Sequence, residues 1–267
     1  EKLAESKEKN LTLADNLDRG QMDGSFKKLL KKDNVEFVNC DLTDSQDLKK
    51  IDRYFDQVYH LAAKVGVKHT HREPEEVLRV NIVSLMNMID LVKENDCPRV
   101  LFTSTSEVYS GGHDFGIVDI PTDENVPLLI SDPFNPRFSY AGSKIVGEQM
   151  IIHNGEKYDF DYNIVRYHNI YGPRMGYAHV IPEVIKRIKN GEEPFKIYGY
   201  DQTRAFCFID DAARGTINIM ENEDVNSEIF HIGNDEEEIK IEELIKKLFD
   251  LAGYNPEYKL VEAPEGS

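Results

Sequence analysis

An α/β fold is predicted, a doubly wound parallel sheet followed by a smaller domain, and three observations carry it. Short β-branched or apolar runs alternate with amphipathic segments over the first 170 residues or so, polar residues cluster at the carboxyl ends of those runs, and the rhythm changes afterwards. Strands alternating with helices imply parallel βαβ units, whose ligands gather at the strand carboxyl ends.

The strand-like runs are LTLAD (11–15), VEFVNCD (35–41), QVYHLAA (57–63), RVLFTSTS (99–106) and YNIVRYHN (162–169), and helix-like segments fall at 75–95 and 139–155. Beyond residue 170 the chain reads as loop, helix, turn and short strand. FCFIDDAARGTINIMENE then gives a strand and a helix, IFHIGN (229–234) a strand, and IEELIKKLFDLAG (241–253) a helix stopped by Gly253. The expected division is a dinucleotide-binding domain over 1–171, joined by roughly 206–235, and a smaller C-terminal α/β substrate domain from 172–205 and 236–267. The acidic run DEEE (235–238) reads as a solvated loop ahead of a helix.

Both ends suggest a fragment of a longer chain. EKLAESKEKN has the character of the C-terminal half of a helix, and KLVEAPEGS stops after a strand-like run. A dinucleotide fold opens with a strand and a glycine-rich turn, and neither precedes LTLAD. GGHDFG (111–116) follows the wrong strand to replace that turn. A strand missing from mid-sheet is expected to leave unpaired edges inside the fold.

Bulk properties narrow the function. The chain has 267 residues, 40% of them hydrophobic, which suffices for one large domain or two modest ones. A net charge of −17 argues against a nucleic-acid partner, which would need a basic stripe, but leaves room for a small anion in a local basic cleft. No run approaches the roughly 18–20 apolar residues that cross a bilayer, and no leader-like pattern opens the chain, so no membrane partner and a cytoplasmic location are expected. Cys40, Cys97 and Cys207 are odd in number and lack metal-type spacing, so they read as buried free thiols. His69 and His71 read as loop histidines, and no metal is expected.

The chemistry concentrates in TSTSEVYS (103–110) and SYAGSK (139–144). Thr105 and Ser106 beside Glu107 offer hydroxyls and an acid/base group at a strand end. Tyr140 and Lys144 stand four apart and share a helical face, where the lysine's charge is expected to lower the phenol's pKa. A phenolate base beside a hydroxyl suits removal of a proton from a sugar alcohol while hydride leaves for a nicotinamide. Asp15, ending LTLAD, is placed to accept ribose hydroxyls of NAD and to repel a 2′-phosphate; taken alone it reads first as a turn or cap aspartate. Asp41 ends the next strand, where an adenine could be held, and Ala62, Ala63 and Lys64 follow the third where a cofactor passes close to backbone.

Taken together, LADNLDRG, CDLTD, VYHLAAKVGV, TSTSEVYS, SYAGSKIVGEQ, VRYHNIYGPRM, QTRAFCFIDDAARG and FHIGN resemble, in family order, an extended short-chain dehydrogenase/reductase of the nucleotide-sugar epimerase/dehydratase family. The resemblance implies a Rossmann-type fold, NAD as cofactor, a nucleotide diphosphate sugar as substrate, and a homodimer formed through the helices at 75–95 and 139–155. It implies catalysis by Thr105, Tyr140 and Lys144 with Glu107 as acid/base or orienting carboxylate. Cofactor contacts would come from Asp15, Asn16, Asp41, Leu42, Leu61, Ala62, Ala63, Lys64, Tyr140 and Lys144. Substrate contacts would come from Ser106, Asn169 and Arg204, while Asn81 is a structural asparagine and Gly172 and Pro173 shape a loop over the nicotinamide. The glycine-rich loop is the main departure from the family pattern.

Family members share oxidation at sugar C4 to a 4-keto intermediate and diverge afterwards. A 4,6-dehydratase places an acid before the glutamate, where Ser106 stands here. Serine with glutamate resembles the uronic-acid decarboxylases, with Arg204 assisting, whereas a 4-epimerase needs only rotation of the keto sugar and hydride return. The main reading is an epimerase/dehydratase-type enzyme. The alternatives are a UDP-glucuronate-type decarboxylase and a degenerate binder without turnover.

Overall fold

A computed structural model describes residues 1–51 and 54–263. In chain order its elements are β1 (Leu11–Asp15), α1 (Gly24–Leu29), β2 (Val35–Asn39), α2 (Ser45–Leu48), β3 (Val58–His60), α3 (Val67–Arg72), α4 (Pro74–Glu94), β4 (Arg99–Thr105), α5 (Ser110–Asp114), α6 (Phe138–Tyr158) and β5 (Asp161–Tyr167). They continue with β6 (Ile170–Tyr171), α7 (Val180–Lys189), β7 (Phe195–Tyr198), β8 (Thr203–Ala205), β9 (Cys207–Phe208), α8 (Ile209–Glu221), β10 (Glu228–Ile232), β11 (Glu238–Lys240), α9 (Ile241–Ala252) and β12 (Tyr258–Val261). Two compact units result: Glu1–Arg166 with Ala213–His231, and Tyr167–Ala212 with the chain from Ile232 onward. The last four residues of the expected substrate domain, 264–267, lie outside the described residues.

In the first unit the sheet is in two pieces. β1 and β2 pair in parallel, with Leu11 opposite Val35 and Asp15 opposite Asn39. A four-stranded piece runs β10-β5-β4-β3, in which β3 and β4 are parallel with Val58 opposite Val100. β1 and β3 each end a piece, so among the described residues neither hydrogen-bonds a strand on that side. Every residue of β4 is buried, as in a strand covered on both faces.

Periodicity decides the covering helices. α4 starts with Pro74 in its first turn, where a missing N–H costs nothing, and buries Val77, Asn81, Ser84, Leu85, Met88, Ile89 and Val92. Leu85, Met88, Ile89 and Val92 join Val100, Phe102, Ile151 and Ile164 in the main core. α6 instead buries small residues, and at Gly147 a Cβ would stand 2.4 Å from the Phe102 ring. That glycine lets α6 press directly on β4.

Two expectations need correction. EKLAESKEKN forms only one 3-10 turn, Leu3–Glu5, because it has no apolar stripe and buries Ala4 alone; Lys32 Nζ donates to the Ala4 carbonyl at 2.8 Å and Asn34 Nδ2 to those of Ser6 and Lys9. The third strand stops at His60 rather than Ala63, since Asn81 takes up the Lys64 backbone on both sides. Ser110–Asp114, which includes the glycine pair, is a helical turn.

The second unit packs α7 and α9 on short strands. β12 and β7 are parallel, β11 and β8 antiparallel, and β6 and β9 parallel. Its core is Val184, Phe195, Ile197, Ile241, Leu244, Ile245 and Phe249. Gly253, at φ 61°, stops α9 as expected.

Candidate active site

The carboxyl end of β4 and the first turns of α6 bring Thr105, Tyr140 and Lys144 together. Thr105 caps the 3-10 turn Ser106–Tyr109 through its hydroxyl, which accepts from the Glu107 N–H at 3.3 Å and also hydrogen-bonds the Tyr140 phenol. Lys144 is buried, and its Nζ donates to the Thr103 carbonyl at 2.7 Å. The ammonium lies 4.8 Å from the centre of the Phe102 ring and 5.9 Å from that of Tyr140. Burial lowers the lysine's pKa to about 8, against the pull of Glu148.

The phenol does not behave as the Tyr-Lys spacing predicts. Burial first, and the Glu107 charge second, push Tyr140 up to about 12, while Arg19 and the Thr105 hydrogen bond pull it down. The Lys144 ammonium is held on the Thr103 carbonyl, 5.9 Å from the centre of the Tyr140 ring, and burial decides the direction of the shift. In the protein by itself Tyr140 is a neutral phenol at pH 7.

Glu107 is engaged by a residue that sequence reasoning missed. Arg137 Nε lies 3.3 Å from Oε2, and Nη2 lies 3.1 and 3.4 Å from the two carboxylate oxygens, with both side chains about two-fifths exposed. Its position three residues before Tyr140 was the available signal. Behind Lys144 is a second missed group. Glu148 accepts from Ser104 Oγ at 2.5 Å and from Arg166 Nε and Nη2 at 2.9 and 2.6 Å. Asn81 acts as the expected structural asparagine: Oδ1 accepts from Lys64 N at 2.7 Å, and Nδ2 reaches the Lys64 carbonyl and Ser143 Oγ at 3.2 and 3.0 Å. It ties the segment after β3 to α6.

The expected adenosine residues are held more locally. Asp15 is exposed at the end of β1, and its Oδ1 accepts from Leu17 N at 2.6 Å. Asn16 Oδ1 accepts from Asp18 N at 3.0 Å. Asp41 Oδ1 accepts from the N–H and hydroxyl of Thr43 at 2.9 and 2.8 Å, and the Leu42 carbonyl from Asn87 at 2.8 Å. Leu61 is exposed, Ala62 and Ala63 are half-buried, and Lys64 Nζ pairs with Glu73 at 3.0 Å. Asp15 and Asp41 each bond their own turn through Oδ1, and the second carboxylate oxygen of each would fit a ribose hydroxyl or an adenine amine. Next to Tyr140, the buried Ser139 hydroxyl has no hydrogen-bond partner among the described residues, which fits a bound polar group. No glycine-rich strand-to-helix turn occurs among the described residues to cradle a diphosphate.

Asn169 and Arg204 belong to the second unit. Asn169 is exposed at φ 40°, and its carbonyl accepts from Cys207 N at 3.3 Å. The Arg204 guanidinium folds back on its own strand, donating to the Thr203 carbonyl at 2.7 Å and to Gln202 Oε1 at 3.1 Å. At Gly172, φ 152°, a Cβ would meet Ile209 at 2.4 Å, so the loop before Pro173 requires glycine. Among the described residues no group of three metal-ligating side chains forms, and no helix is long and apolar enough to cross a membrane.

Comparison with known proteins gives this geometry a family. A UDP-glucuronate 4-epimerase of Thermodesulfobacterium geofontis is 32% identical over 229 residues, covering 85% of this chain and 67% of that protein. A UDP-N-acetyl-alpha-D-glucosaminuronate decarboxylase of Bacillus cytotoxicus is 32% identical over 235 residues, covering 86% and 69%. The solved UDP-N-acetylglucosamine 4-epimerase of Methanobrevibacter ruminantium, in complex with UDP-N-acetylmuramic acid, superposes with a TM-score of 0.80 at 30% identity, covering 96% of this chain and 78% of that one. Residues 2–233 match the NAD dependent epimerase/dehydratase family, and the chain belongs to it.

Proposed function

We propose that this chain modifies a nucleotide diphosphate sugar through a 4-keto intermediate, as an NAD-dependent epimerase/dehydratase-type enzyme. The observation that supports it most is the corner where Thr105 meets Tyr140 while Lys144 is held on the Thr103 carbonyl one turn along α6. Tyr140 takes the proton of the sugar C4 hydroxyl. Thr105 orients the phenol, and Lys144 places a positive charge beside it that favours the phenolate once the site is filled. A bound NAD would supply the hydride acceptor for C4. Asp15 and Asn16 would hold its adenosine ribose, Asp41 and Leu42 its adenine, and the segment Leu61–Lys64 would border its path. In the second unit, Asn169 and Arg204 would contact the sugar diphosphate.

Decarboxylation is the second reading. Ser106 precedes Glu107 where a dehydratase needs an acid, and Arg137 closes on the Glu107 carboxylate, which leaves that carboxylate as an orienting group. A 4-keto group makes loss of a C5 carboxylate easy without an added acid. Pairing of two copies through α4 and α6 is supported by Leu78, Met86 and Val146, apolar side chains exposed on those helices. The cytoplasm is the expected location.

The test is a panel of nucleotide sugars incubated with the protein and NAD, with products identified by NMR. Epimerised sugar supports the first reading, and a pentose with released carbon dioxide the second. A protein that binds a nucleotide sugar without turning over any member, and whose Tyr140→Phe variant behaves alike, overturns both.

A further inference from the structure

The family reading uses Thr105, Tyr140 and Lys144 but leaves a buried set of charges behind them unexplained. Glu148 and Arg166 are both almost fully buried. Their pairing is two-pronged, and the Arg166 Nη1 continues to the Tyr109 hydroxyl at 2.5 Å and the Glu124 carbonyl at 2.9 Å. Burying an ion pair is rarely worth its desolvation for stability alone. Its position suggests another use, since Glu148 follows Lys144 by four residues and so lies one turn further on the same face of α6.

Lys144 needs such a neighbour. Its ammonium is buried and, among the described residues, makes one hydrogen bond, to Thr103 O, and no ion pair. The groups facing it give little help. β4 offers the Phe102 ring and the Thr103 carbonyl, and Asn81 of α4, which reaches Ser143 next to the lysine, is uncharged. From β3 comes His60, buried and stacked on Phe102, whose pKa is pushed down to about 3 by burial and by the lysine itself, so it stays neutral. Tyr140 is neutral too, and Arg166 of β5 is closed on Glu148. Among the described residues Glu148 is left as the carboxylate whose field favours the charged lysine.

We propose that Glu148 is a positioning residue for Lys144: clamped by Ser104 and Arg166 one helical turn behind the lysine, its carboxylate supplies the counter-charge that keeps the buried ammonium protonated beside Tyr140. The proposal rests on the reading of Lys144 as a catalytic group. Ser104 adjoins both Thr103, which receives the ammonium, and Thr105, which meets the phenol. The same clamp therefore fixes the register of α6 against the strand end.

The test follows the titration of Lys144 in the protein without cofactor or sugar, through its 13Cε NMR shift, assigned by the signal lost in Lys144→Arg. The midpoint is expected near 8 in the parent chain. In Glu148→Gln it should fall by about one pH unit, roughly a tenfold loss of proton affinity, and in Glu148→Asp it should return toward the parent value. A folded Glu148→Gln protein with an unmoved midpoint overturns the proposal. So does an Asp variant that shifts as far as the Gln variant, because packing rather than charge would then set the midpoint. Where Glu148→Gln leaves Arg166 unpaired and fails to fold, Glu148→Gln/Arg166→Met removes the clamping cation along with the carboxylate, so its midpoint should fall by less than one unit, and a midpoint at or above the parent value overturns the proposal. The titration needs no turnover, so its failure leaves the catalytic reading standing, whereas failure of the sugar panel would leave the midpoint unmoved.

Discussion

At the carboxyl end of β4 each polar side chain is held by a different element, whereas at the carboxyl end of β1 each is held by its own turn. Thr103 Oγ1 reaches the His60 carbonyl on β3 at 3.1 Å, Ser104 is clamped by Glu148 of α6, and Thr105 meets Tyr140. Among the described residues the Asp15 and Asn16 side chains bond to N–H groups two residues on. On the proposed reading, the difference follows from the tasks. Proton removal tolerates errors of a fraction of an ångström, so its groups are cross-braced between strand and helix. A ribose can be met by an exposed carboxylate that adjusts to it.

The contrast breaks most readily at Tyr140. Tyr140→Phe removes the proton acceptor and keeps the ring, so turnover of the accepted nucleotide sugar should fall by about 10²–10⁴-fold, with little change in sugar binding by calorimetry. Retained turnover in this variant would remove the β4 corner from the chemistry.

Glycines sharpen the same comparison through stability. Gly147→Ala drives a methyl into the Phe102 ring and should cost about 1–3 kcal/mol in urea unfolding. Gly24, opening α1 after the β1 turn, has nothing within 4 Å of a built Cβ. Gly24→Ala should change stability by less than about 1 kcal/mol, in the stabilising direction. Equal losses at the two positions would mean that the β1 corner is as tightly packed as the β4 corner.

The β4 corner was legible because its chemistry depends on side chains at fixed spacing. Thr105, Tyr140 and Lys144 sit on period and at an element boundary, and the strand ends and both long helices fell within a few residues of expectation. Arg137, Glu148 and Arg166 were not legible as partners. Arg166 is far from Glu148 in sequence, and only the packing of α6 on β4 and β5 brings them together. The direction of the Tyr140 shift was missed for a related reason: spacing shows that a lysine is near, but burial, which sequence does not quantify, outweighs it. The opening stretch was misread because charge patterning without an apolar stripe resembles a helix yet has nothing to bury.

Protonation gives a smaller test of the β4 corner. His60 has a pKa near 3 in the fold against an ordinary value of 6.5, so the unfolded chain binds more protons between those limits. Stability should therefore fall as pH drops from 6.5 toward 3, by up to about 1.4 kcal/mol per pH unit from this group. Lys144 acts in the same sense on the alkaline side, its contribution rising from pH 8 to 10.5. His60→Gln should flatten the acid limb in unfolding curves, and an unchanged limb would place the acid sensitivity elsewhere.

At β1 the expected effect is one of selectivity. Asp15→Asn keeps the turn bond to Leu17 and removes the charge that repels a 2′-phosphate, so the preference for NAD over NADP should shrink about tenfold, roughly 1.4 kcal/mol. Binding of the two dinucleotides by fluorescence titration measures it directly. An unchanged preference would return Asp15 to a turn aspartate.

The smallest expected effect lies between these extremes, at Glu107 and Arg137. Their pair is charge-assisted and nearly two-pronged, yet both side chains are exposed enough for solvent to screen them. Arg137→Ala should change stability by less than about 1 kcal/mol in urea unfolding. A loss of 2 kcal/mol or more would mean that this pair belongs to the braced corner with Glu148 and Arg166. A small loss leaves Glu107 restrained by a contact that an incoming sugar can exchange, and the β4 corner then divides into a rigid interior that handles the proton and an adjustable rim that meets the substrate.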